Sequence, residues 1–82
     1  MTPAQCRAAR AILEITQPKL AEIAGLGLST IVDFERGRRT VSDTTIKHIQ
    51  VTLENAGAVF IDENGGGPGV RLRKRHQAEK RK

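Results

Sequence analysis

The stretch Thr16-Gln17-Pro18-Lys19-Leu20-Ala21-Glu22-Ile23-Ala24-Gly25-Leu26-Gly27-Leu28-Ser29-Thr30-Ile31-Val32-Asp33-Phe34-Glu35-Arg36-Gly37 decides how this chain reads. Thr16 is a capping residue, and Leu20, Ile23 and Ala24 recur on one face, which predicts a helix over 17–24. Gly25 supplies the stop, because the residue just past a helix often needs positive φ. Leu28 to Arg36 predicts a second helix, with Ile31 and Phe34 inward and Gly37 as its stop. Only Gly25, Leu26 and Gly27 separate the two helices, and so short a link imposes a tight turn. Ala21 is small where the two helices must approach closely.

Outward from this pair, Thr2-Pro3-Ala4-Gln5 reads as a helix start. Thr2 caps, Pro3 suits the first helical position and Gln5 completes a capping box. Ala8, Ala11, Ile12 and Ile15 recur at helical spacing, which places a first helix at about 3–14. Downstream, Arg38-Arg39-Thr40 is a basic loop. Ser42 caps a helix over about 43–56, Asp43 favours its positive end, and Val41 and Ile46 are spaced as a hydrophobic staple. Ile46, Ile49, Leu53 and Ala56 form its expected buried stripe, and Gly57 ends it. Ala58–Ile61 and Val70–Arg73 have strand character and predict a hairpin around the Gly-rich loop 62–69. No Gly-Lys-Ser/Thr follows those glycines, so the loop is a turn and not a phosphate-binding loop.

The chain has 82 residues, 38% apolar and 28% charged, enough for one small core. With no Trp or Tyr, and with Phe34 and Phe60 alone as aromatics, that core must be aliphatic. Cys6 is the single cysteine, so no intrachain disulfide forms, and a reducing, cytoplasmic setting fits. The N-terminus lacks the apolar run of a signal peptide, and nothing approaches the roughly 18 apolar residues of a membrane span. His48 and His76 lie far apart with no metal-ligating neighbours in sequence, and no Ser-His-Asp or paired-carboxylate constellation stands out. Neither a metal, a cofactor, a small-molecule ligand nor enzymatic activity is expected. The net charge of +5 points to an anionic partner such as nucleic acid. It is concentrated at the end: residues 71–82 carry seven basic side chains against one acidic, whereas residues 1–70 carry seven against eight. The charge alone therefore does not assign binding to the folded part.

The run from Thr16 to Leu26, followed by Ser29-Thr30-Ile31 and Phe34-Glu35-Arg36-Gly37, resembles the Cro and phage-repressor (XRE-type) family of helix-turn-helix regulators. Arg10 and Glu35 match a pair that in this family joins helix one to the end of the recognition helix. The resemblance covers about residues 3–56. It implies an all-α, lambda-repressor-like helix-turn-helix domain of four to five helices, here with a short C-terminal β element and a basic tail. The expected organisation is a DNA-binding domain over 1–57, a strand pair or dimerisation element over 58–73, and a disordered tail over 74–82.

The same resemblance implies that Leu28, Ser29, Val32 and Asp33 face the major groove. It implies that Gln17, Arg36, Arg38, Arg39 and Thr40 contact phosphate, with Arg10 and Glu35 as a structural ion pair. Phosphate contacts set register and base contacts set sequence. The groove-facing set departs from the usual pattern, for it lacks the Arg, Asn and Gln that make bidentate base contacts. Leu28 suits a thymine methyl, Ser29 donates or accepts, and Asp33 accepts from cytosine N4 but repels phosphate. Modest direct readout is expected, supplemented by DNA shape. The expected function is a cytoplasmic, nucleoid-associated transcriptional repressor binding a palindromic operator on double-stranded DNA as a homodimer. The resemblance also implies service in phages and mobile elements, or as antitoxins. The alternative is a protein-interaction module, an antitoxin or anti-activator whose partner is another protein.

Overall fold

The computed structural model describes residues 1–38 and 40–73. Four helices are followed by two strands: α1 (Pro3–Leu13), α2 (Gln17–Ala24), α3 (Leu28–Glu35), α4 (Asp43–Asn55), β1 (Ala58–Ile61) and β2 (Gly69–Leu72). The expected all-α class is corrected by the sheet. β1 and β2 pair antiparallel, with Ala58 opposite Leu72 and Ile61 opposite Gly69. They lie against α1 and α4, and Ala58 belongs to the same core cluster as Leu20, Ile31, Ile49 and Leu53. Helices and sheet thus share one core, which makes the fold a mixed helix-and-sheet one with four helices among the described residues. Arg39 and the tail 74–82 lie outside the described residues.

Local chemistry sets the element ends. Thr2 accepts the Gln5 N–H at 3.0 Å, while the Gln5 side chain accepts the Thr2 N–H at 2.9 Å, so the capping box is closed. Thr16 and Ser42 cap α2 and α4 by accepting the N–H of Lys19 and Thr45. Glu14 adopts a left-handed conformation (φ 59°) and ends α1 at Leu13, one residue before the sequence expectation. Arg36 and Ala56 likewise act as terminal residues of α3 and α4, not as members of them.

Three helix faces differ from the sequence reading. In α1 the buried side chains are Gln5, Cys6 and Ala9, whereas Ala8 and Ala11 face solvent. Gln5 is admitted to the interior because all its polar capacity is used. Beyond the capping box, its Nε2 donates to the carbonyls of Ile61 (3.1 Å) and Gly69 (3.0 Å), tying the first turn of α1 to the last rung of the hairpin. In α2 the buried set is Leu20, Ala21 and Ala24, and Ile23 is 44% exposed. In α4 Ile49 and Leu53 are buried and Ala56 is exposed. Among the described residues, every buried side-chain nitrogen and oxygen has a hydrogen-bond partner.

The two large aliphatics of α2 separate these readings. Leu20→Ala is expected to cost about 2–5 kcal/mol in urea unfolding, since it empties a fully buried site. Ile23→Ala is expected to cost about 0.5 kcal/mol or less. Equal costs would place Ile23 in the core and overturn the corrected face.

Candidate nucleic-acid interface

α2 and α3 pack closely on each other and are joined by the turn Gly25-Leu26-Gly27. Gly25 has φ 69°, a left-handed conformation in which any other side chain is strained. The Leu26 N–H reaches back to the Ala21 carbonyl at 2.9 Å, satisfying the end of α2, and the Leu26 side chain packs against the core. α3 is eight residues long, below the length at which an isolated helix persists in water. Its orientation is therefore imposed by what holds its two ends.

At its C-terminal end the fastening is Glu35. The Glu35 side chain is 2% exposed and that of Arg10 19%. Arg10 engages the carboxylate in bidentate fashion, Nε to Oε2 at 2.7 Å and Nη2 to Oε1 at 2.8 Å. Gln17 Nε2 donates to Oε1 at 3.0 Å, and the Cys6 thiol donates to Oε2 at 3.2 Å. Arg7 donates to the Glu35 backbone carbonyl, and Arg10 also reaches the Ile15 carbonyl. One carboxylate thus gathers α1, the start of α2 and the end of α3. Burial by itself would raise the Glu35 pKa. The bonds from Arg10, Cys6 and Gln17 outweigh it and hold the carboxyl below its ordinary value. The bond to Glu35 raises the Arg10 pKa in turn. Burial first, then the Glu35 carboxylate, push the Cys6 thiol well up.

Arg10 and Glu35, expected as a pair from the sequence, lie together in the structure. Gln17, expected on phosphate, has its side chain committed to Glu35 instead. The neighbouring amides offer little in compensation, because Pro18 has no N–H and the Lys19 N–H is capped by Thr16. Cys6 and Arg7 were missed as members of the network. Their spacing from Arg10, four and three residues along one helix, was the available signal.

On α3 the buried side chains are Ile31, Phe34 and Glu35; Ser29, Val32 and Asp33 turn away from Ile31 and Phe34, and Leu28 falls two turns before Glu35 on the edge between the two faces. Leu28 is 45% exposed, Ser29 is exposed, and Val32 and Asp33 are half-buried. Asp33 pairs with Arg38 at 3.2 Å, which neutralises part of its repulsion for a phosphate. Arg36 and Thr40 are exposed beyond the helix end. Unlike α1, α2 and α4, α3 has no side-chain cap: Gly27 precedes it, so its first-turn N–H groups meet no side-chain acceptor. Its exposed end carries the positive pole of the helix dipole. Among the described residues no three His, Cys, Asp or Glu side chains cluster as a metal site, and no helix is long and apolar enough to cross a membrane.

Glu35→Ala is expected to destabilise the fold by about 3–5 kcal/mol, because it leaves the half-buried Arg10 and the inward donors of Gln17 and Cys6 without their acceptor. A loss under about 1 kcal/mol would demote the pair to a surface contact. The pair also has a pH signature. The unfolded carboxyl, at its ordinary value near 4.5, takes up a proton before the folded one does. The contribution is therefore complete above that value and is lost as pH falls through the lower folded pKa. Urea midpoints measured against pH should fall more gently on the acid side for Glu35→Gln than for the unmodified chain. No protein-family model and no curated protein matches this chain.

Proposed function

We propose that this chain is a sequence-specific DNA-binding regulator, a cytoplasmic repressor that uses α2 and α3 as a helix-turn-helix pair and binds a palindromic operator as a homodimer. The observation that carries the reading is a short helix pinned at both ends on which Leu28 and Ser29 stand exposed, with half-buried Val32 and Asp33 beside them. A rigidly presented helix of this size suits the major groove. In this reading the uncapped N-terminus of α3 and the side chains of Arg36, Arg38 and Thr40 approach the phosphates of one half-site, and Arg39 joins them from its place in the sequence. The mechanism is occlusion: a bound dimer covers promoter DNA that polymerase needs.

The apolar and acidic character of the outer face gives weight to a second reading, in which the same surface docks a protein partner. One experiment separates the two. Selection of the full chain against a random duplex pool, followed by fluorescence anisotropy near physiological salt, is expected to yield an inverted repeat. Its half-sites should lie roughly one helical turn, about 34 Å, apart. That repeat should be bound roughly a thousandfold or more tighter than a scrambled duplex. Absence of any enriched motif, with equal and salt-sensitive binding to both duplexes, would favour the protein-docking reading.

The phosphate assignments carry their own test. Arg36→Ala and Arg38→Ala should each lower the slope of log K against log salt by about one. A slope unchanged in both variants would remove these side chains from the interface.

A further inference from the structure

Apart from α3, one part of the surface is apolar on both banks of a groove. Ile23 of α2 and Val51 of α4, 44% and 38% exposed, face a depression of about 400 Å³ that is also lined by His48, Thr52, Asn55 and Ala56. The groove is not a loose gap. His48 Nε2 lies 2.7 Å from the Ala24 carbonyl, which fixes α4 to the end of α2, and Thr52 bonds back to the His48 carbonyl at 2.9 Å. Along α4 the exposed residues Thr44, Lys47, Val51 and Asn55 recur at helical spacing, so the groove continues into a ridge centred on Val51.

The charges on that ridge identify what covers it. At roughly 3.6 residues per turn, Lys47 and Glu54 fall on the same flank of Val51, one toward each end of the helix. If two copies of α4 cross antiparallel with Val51 on the symmetry axis, Lys47 of each copy meets Glu54 of the other, twice. A parallel two-fold pair would put these flanks on opposite sides of the interface and leave Lys47 without Glu54 of the other copy. Such self-complementarity is the mark of a two-fold interface, in which one patch must fit itself. We infer that the α4 ridge, together with the Ile23–Val51 groove, is the surface on which a second copy of this chain docks, antiparallel about Val51. This assignment rests on the homodimer of the reading above and names its surface. α3 packs mainly on α1 and α2, so its outer face stays uncovered when α4 pairs.

The test is sedimentation equilibrium of the full chain without DNA, over a wide concentration range, with circular dichroism to verify folding. The unmodified chain should dimerise. Val51→Glu, a change at an exposed helical position, should keep the helical spectrum. It should weaken dimerisation roughly 100-fold or more, since two like charges then face each other at the axis. Lys47→Glu and Glu54→Lys should each weaken it, and the double variant, which restores opposite charges, should recover it. A chain that stays monomeric throughout, or a folded Val51→Glu variant that dimerises unchanged, would overturn the proposal. So would a double variant no tighter than the singles. None of these readouts involves DNA. A failure of sequence-specific binding therefore leaves the dimer result standing, and a failure to dimerise leaves the selected half-site to be tested with monomer.

Discussion

The Glu35 carboxylate is the constraint on which the rest of this molecule depends. A buried ion pair is a weak source of net stability, because desolvation of both charges offsets most of their attraction. Its effect here is positional. Four side-chain donors converge on two oxygens, two from Arg10 and one each from Gln17 and Cys6. Each comes from a segment that would otherwise be free to slide. The donors fill the carboxylate in one arrangement of α1, α2 and α3, and any other leaves a charge or an amide unsatisfied in the interior. An aliphatic core of Leu20, Ile31, Ile49 and Leu53 supplies cohesion but tolerates repacking. The polar junction makes the arrangement unique.

The hairpin completes the core by the same logic on a smaller scale. A two-stranded sheet is marginal in water, and β1–β2 persists because it leans on α1 and α4 and because Gln5 joins its last rung to the first turn of the chain. The loop that joins the strands is organised from within: the Glu63 carboxylate accepts the N–H groups of Gly65 and Gly67 at 3.2 and 3.1 Å. Exposed as it is, the Glu63 carboxylate spends part of its accepting capacity on the loop's own backbone.

Much of the fold was legible because element ends obey local rules. Thr2, Thr16, Ser42 and Gly25 act within a few residues of themselves, and each marks a boundary that the structure keeps. Which face a helix buries is a tertiary matter. Alanine is indifferent to exposure, so Ala8 and Ala11 gave a pattern without a cause, and the buried Gln5 carried no hydrophobic signal at all. Ile23 reads as core by composition, yet no described element covers it. The class is hidden for a related reason: the strands have a sequence signal, but their share in the core depends on Ala58, too small to announce itself. At the junction, the Arg10–Glu35 pair came from resemblance to a family, not from spacing. For Gln17 the resemblance and the helix start both point outward to an anion, and the interior carboxylate that captures it lies 18 residues away.

Cys6 has a consequence of its own. It is the chain's single thiol, fully enclosed and donating to a carboxylate, so its reactive anion is suppressed while α1 and α3 remain together. An alkylating reagent reaches it only when that junction opens. The rate of modification is thus a clock for the opening of the polar centre, read from one atom, with no residue substituted to provide it. In a protein without tryptophan or tyrosine, where intrinsic fluorescence has little to report, the sulfur serves as the native probe of whether the scaffold is closed.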